Sequence, residues 1–220
     1  MGSDRFSSAK YRKDIIAFQN FAWKKSQACY NLIIGRLIVR DIVDGGLQKN
    51  VGHLEGFLRD LKESRHYKKI HLQADAYLKF CKNQWDRNHA RTNAIIGNLS
   101  GLDLNKEFDV YITHPGLRNG GYEGNQMIVW GHHEKWPNYT TVYLWHEILH
   151  SYFGRNDIEH AVIELIADEE LRIRLNGGKY PPFVGHGYLA KTKKKLLPGW
   201  KKYLKQEKHA IGNFIRKSNP

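Results

Sequence analysis

Apolar positions recur at three- and four-residue spacing through residues 8–82. Ile15, Ile16, Phe18, Phe21, Ala22, Ala28, Cys29, Leu32, Ile33 and Leu37 form one series. Gly45-Gly46 interrupts it. Leu54, Phe57, Leu58 and Leu61 form a second, and Ile70, Leu72, Ala76, Leu78 and Phe80 a third. This is the period of a helix face, and no proline occurs before Pro115 to break it. The texture changes at Leu99-Ser100-Gly101. Residues 107–114 (EFDVYITH) alternate and are rich in β-branched and aromatic side chains, which predicts a strand. Pro115-Gly116 and Asn119-Gly120-Gly121 read as turns. Residues 125–130 (NQMIVW) predict a second strand, so the pair is expected to form a hairpin or small antiparallel sheet.

Helical patterning then returns. Asn138 is a suitable N-cap for a helix over about 138–153, with Gly154 at its C′ position. A turn at Arg155-Asn156 leads to a second helix from about Asp157 to Leu175, which Asn176-Gly177-Gly178 ends. A last amphipathic helix is expected from about Pro198 to Ile215, with Trp200, Tyr203, Leu204, Ile211 and Phe214 on one side. The chain thus divides into a helical region at 1–100, a mixed unit at 101–190 and a basic helical segment at 191–220.

Composition sharpens the last division. The 220 residues carry a net charge of +13, yet residues 191–220 hold ten Lys/Arg and one acid, Glu207. The basicity belongs to that segment, which points to an anionic partner: nucleic acid, anionic lipid or an acidic protein. No base-reading motif accompanies it. No apolar run reaches the roughly 20 residues needed to span a bilayer, and the first residues lack the apolar core of a secretory signal. The two cysteines, Cys29 and Cys81, do not make a disulfide framework, which favours a cytoplasmic setting.

The candidate chemistry lies in the first of the paired helices, where His146-Glu147-Ile148-Leu149-His150 spells H-E-x-x-H. Residues four apart share a helix face. His146 and His150 can therefore hold one metal ion while Glu147 takes a proton from water as general base. The surrounding Val142, Leu144, Trp145, Ile148, Leu149, Tyr152 and Phe153 predict a buried helix, in which polar side chains need partners. On the next helix Asp157, His160, Glu164 and Asp168 fall close to one stripe, opposite Ile158, Val162, Leu165, Ile166 and Ile173. Folding the two helices into an antiparallel hairpin brings Glu164 level with the histidine pair and His160 level with His150. Ala161 and Ala167 leave room for close approach.

HEILH followed by Glu164-Leu165-Ile166-Ala167-Asp168 resembles the zincin metallopeptidases, specifically the gluzincins. The resemblance covers residues 107–190 at most. It implies an α+β fold: a zincin-like catalytic unit, of a small antiparallel sheet plus two metal-binding helices, with a helical N-terminal part. It implies Zn²⁺ held by His146, His150 and Glu164, with Asp168 orienting a ligand histidine. Glu147 would activate a zinc-bound water, and a peptide or protein substrate would lie along residues 125–130 as an added strand. His186 and Tyr188 would stabilise the oxyanion, with Tyr180 a further candidate. Only 13 residues separate His150 from Glu164, shorter than in the best-known gluzincins, so His160 and Glu159 stand as alternative third ligands. His132-His133-Glu134 is a candidate for lining the cleft. The expected function is a zinc-dependent peptidase. The alternative is a basic nucleic-acid- or membrane-associated protein with a degenerate or structural metal site.

Overall fold

A computed structural model describes residues 63, 65–154, 156–178 and 185–218. The series expected through Leu61, together with Cys29 and Tyr180, lies outside these residues. Two compact units divide the chain. One takes residues 1–80, 111–119 and 129–133, and the other residues 81–110, 120–128 and 134–220.

The first element is a single helix, α1 (Arg65–Ser100), ended by Gly101 in the left-handed region (φ 68°). A Cβ at Gly101 would stand 2.1 Å from the His209 carbonyl oxygen, so this position requires glycine for both conformation and space. The third apolar series does not mark its buried face. Leu72, Leu78 and Phe80 are exposed, whereas Ala74, Tyr77, Cys81, Gln84, Thr92, Ile96 and Leu99 are buried. The inward face of α1 mixes polar and apolar residues, which is why hydropathy alone misplaced it.

Three strands follow: β1 (Asp109–Ile112), β2 (Asn119–Gly124) and β3 (Met127–Gly131), in the order β1-β3-β2. The Asp109 N–H donates to the Gln126 carbonyl at 2.9 Å and the Thr113 N–H to that of Trp130 at 2.7 Å. Both steps advance by four residues in the same direction, so β1 and β3 run parallel. The sheet is therefore mixed, not the antiparallel one expected. The missing piece is β2, read in the sequence as a glycine turn at Asn119-Gly120-Gly121. It joins β3 through Asn125-Gln126, both at positive φ (47° and 59°), as a two-residue hairpin loop requires. Residues 127–131 occupy the centre of the sheet, and β2 is an edge. The strand at 125–130 thus has neighbours on both sides and cannot take a substrate strand, which corrects that expectation.

In the first unit the Tyr77 hydroxyl bonds the His132 carbonyl and accepts from the His132 N–H, and Thr113 Oγ1 donates to Asn119 Oδ1 at 2.7 Å.

The second unit holds the paired helices. In α2 (Tyr139–Leu149) all four leading N–H groups find acceptors. Glu134 takes those of Tyr139 and Thr140 at 3.1 and 2.9 Å, Gln84 that of Thr141 at 2.9 Å, and the Asn138 carbonyl that of Val142 at 3.1 Å. Asn138, in the left-handed region, makes no side-chain cap. The carboxylate of Glu134 replaces it, with a charge suited to a helix N-terminus. Glu134 is therefore a cap and not part of a cleft. α2 ends at Leu149, earlier than expected. Ser151 and Tyr152 turn back by bonds to Ile148 and Leu149 carbonyls, so Gly154 is not its C′ residue.

The second paired helix is continuous over Asp157–Asn176. It has an α segment, α3 (Asp157–Ile163), a π-helical segment (Glu164–Leu171) and a final α turn, α4 (Arg172–Asn176), closed by Gly177 in the left-handed region. Asn156 Oδ1 caps its start through the Ile158 and Glu159 N–H groups. Beyond residue 185 come a 3₁₀ turn (Gly187–Leu189), α5 (Ala190–Tyr203) and α6 (Ile211–Ser218). The single helix expected from Pro198 is thus two helices, with Pro198 inside the first. The Tyr203 hydroxyl donates to the Leu99 carbonyl at 2.8 Å and His209 Nδ1 lies 2.7 Å from that of Asn98, which ties this end to α1.

Candidate metal centre

The site is built wholly within the second unit. α2 presents His146 and Glu147, and His150 is its C-cap residue. The His160–Glu164–Asp168 stripe does not face solvent: Glu164 and Asp168 are buried and His160 is half-buried. Ala161 through Asp168 are all buried, so the helix has no solvated side there. Four-residue spacing carries this stripe across the start of the π-helical segment. Such segments recur at functional sites.

His146 is pinned from one side. Its Nδ1 lies 3.1 and 3.0 Å from the two Asp168 carboxylate oxygens. Its Nε2 therefore faces the other way, 3.3 Å from Nε2 of His160. His146, His150 and His160 each offer a ligand atom, and these atoms all lie within 4.8 Å of one another. Two imidazole nitrogens at 2.0–2.1 Å from a tetrahedral ion stand about 3.3 Å apart. The three side chains could hold a metal ion, and the 3.3 Å between His146 and His160 matches that spacing.

Charge in the cluster is divided unequally. Burial opposes the charged form of His146, and Asp168 more than offsets it, so the imidazole is pushed up to about 9. Burial, with His146 and His186 nearby, lowers His160 to about 4. The facing Nε2 atoms can share the Nε2 proton of a charged His146, or turn to a metal once that proton leaves.

Glu164 is held differently. His186 donates to its Oε1 from the backbone N–H at 2.7 Å, and His186 Nδ1 lies 2.7 Å from the same oxygen. Lys193 Nζ is 3.1 Å from its Oε2 and 2.7 Å from Glu169 Oε1. Burial would raise the Glu164 carboxyl; His186 and Lys193 outweigh it and hold the group at about 2. Gly185, at φ 67°, permits the approach, since a Cβ there would fall 2.1 Å from Glu164 Oε2. His160, Glu164 and His186 form a second group with ligand-compatible spacing, which shares His160 with the first. The histidine pair of H-E-x-x-H thus meets His160 in one group, and Glu164 stands in the other. Glu159 is turned toward Gly154.

Glu147 is half-buried. Burial raises its carboxyl, against His146 and a hydrogen bond from the Tyr122 backbone N–H. Tyr122 belongs to β2, so the edge strand meets the candidate base directly. Tyr188 is 62% exposed, and its hydroxyl is 3.0 Å from His160 Nδ1. Sequence reading missed two partners, Tyr122 and Lys193. Tyr122 directly follows the apparent turn at Asn119-Gly120-Gly121. Lys193 was hidden in the tract Lys193-Lys194-Lys195, although it falls in phase with the buried Leu196, Trp200 and Tyr203.

Comparison of the chain with protein-family models, with curated proteins and with solved structures finds no match.

Proposed function

We propose that this protein is a zinc-dependent hydrolase acting on peptide bonds, with the metal held by His146, His150 and His160. The convergence of these three ligand atoms carries the reading, with His146 fixed by Asp168 and with Glu147 alongside. His160 takes the place that the family resemblance assigns to Glu164, because Lys193 and His186 already engage the Glu164 carboxylate. Zinc in such a site polarises a carbonyl and brings the pKa of water near 7.

The chain's own groups supply the rest. Asp168 fixes the His146 ring, so that Nε2 is the donor atom. Tyr188 holds Nδ1 of His160 and sets that ring in the same way. Glu147, raised by burial, is suited to accept a proton and return it to the leaving amine. The Tyr122 N–H keeps its carboxylate oriented. His186, half-exposed and held at Nδ1 by Glu164, is the side chain assigned to the oxyanion. A general base contributes roughly 10²–10⁴-fold in rate. Glu147→Gln should therefore lose that much hydrolysis of a quenched-fluorescence peptide library while keeping its zinc. Undiminished activity in that variant would refute the mechanism.

A further inference from the structure

We infer that the outer face of α5 is a binding surface for the phosphate backbone of nucleic acid. On α5, Lys191, Lys194, Lys195, Lys201 and Lys202 follow one another at intervals of three, one, six and one residues, Pro198 fills the gap, and Lys205 stands two residues beyond the helix end. On a helix of 3.6 residues per turn the five helical positions share one side. All six side chains are exposed. The opposite side carries Lys193, Leu196, Trp200 and Tyr203, all buried. Only Lys193 turns inward, to Glu164 and Glu169. Among the described residues none of the six outer lysines meets a carboxylate at ion-pair distance.

The shape of this face selects its partner. Its 14 residues extend about 21 Å. Over that length one strand of a duplex presents about six phosphates, enough to face its five outer lysines. The cations are all lysines, point charges without the planar fork that reads a guanine edge. The face therefore grips the backbone without discriminating sequence. A helix that inserts into a membrane surface needs an apolar side for the lipid. Here the apolar side of α5 is spent on the core, and among the described residues no large exposed apolar side chain lies on α5 or α6. Neither the metal nor the hydrolytic reading enters this inference.

The test uses the full chain and a mixed-sequence duplex of about 30 base pairs at several salt concentrations. Binding should fall with a log–log salt slope of about −3.6 to −5.4, the value for four to six phosphate contacts. Changing Lys191, Lys194, Lys201 and Lys202 together to Gln should weaken binding at least tenfold at 0.1 M salt and reduce the slope by about 3. A matched variant with Lys68, Lys69, Lys79 and Lys82 of α1 changed to Gln has the same net charge and should keep its affinity within about threefold. Absence of duplex binding at low salt overturns the proposal. So does equal loss in both variants, or tighter retention on phosphatidylserine vesicles than on the duplex at the same salt.

Discussion

The helix over Asp157–Asn176 and the helix α5 both carry many charged residues and treat them in opposite ways. In the first, Glu164 and Asp168 are buried, and each has a specific partner: Lys193 and His186 for one, His146 for the other. In α5 the charges of one sign line the outer side and leave the core to Leu196, Trp200 and Tyr203. Burying a charge is tolerable only with partners placed to receive it. A solvated lysine row is nearly neutral for stability and is free to meet something outside the molecule. Lys193 is where the two helices join, a member of the basic tract that enters the acidic stripe.

This contrast can be broken at several points, in decreasing order of expected effect. Removing Glu164 should be the most damaging. Glu164→Ala leaves the buried Lys193 ammonium with Glu169 alone and the His186 N–H without its acceptor, and losing one partner of a buried pair typically costs about 3–5 kcal/mol. Urea denaturation measures it; a loss under about 1 kcal/mol would mean that the ion pair does not form. Trp200→Ala empties the core side of α5 and should cost about 3–5 kcal/mol in the same assay. Asp168→Asn keeps the size of the side chain but weakens its hold on His146 Nδ1. Competition with a zinc chelator should show about 10–100-fold weaker metal binding, with the fold preserved. At the small end, Lys201→Ala or Lys202→Ala should change stability by less than about 0.5 kcal/mol.

Acid adds a further test of the buried side. Glu164 has a folded-state pKa of about 2, below its ordinary 4.5. A depressed carboxylate stabilises the fold above its unfolded pKa, and that contribution disappears as pH falls through the folded value. Stability should therefore decline between about pH 4.5 and 2. Glu164→Gln should flatten that decline, and an unchanged decline in that variant would mean that His186 and Lys193 do not hold the carboxylate.

Much of the site was legible because its signals are local. The four-residue spacing of His146 and His150, the stripe of His160, Glu164 and Asp168, and the glycine end of the second helix all follow from helix geometry. So does the placing of the two helices about Asn156. What escaped depends on tertiary context. A carboxylate four residues upstream, Glu134, replaced the expected Asn138 cap. Asn119-Gly120-Gly121 pairs as an edge strand because β3 supplies the partner, and no local propensity announces that. Lys193 looks like its neighbours in sequence. Only the phase of Leu196 and Trp200 shows that it turns inward.

Metal content tests the central claim most directly. Purified protein, dialysed and analysed by inductively coupled plasma mass spectrometry, should carry about one zinc per chain. His160→Ala should lose it together with His146→Ala and His150→Ala, and Glu164→Gln should retain it. Retention in His160→Ala with loss in Glu164→Gln would move the third ligand to the carboxylate. Zinc well below stoichiometry in the unmodified chain, even after growth with added zinc, would contradict the metal centre altogether.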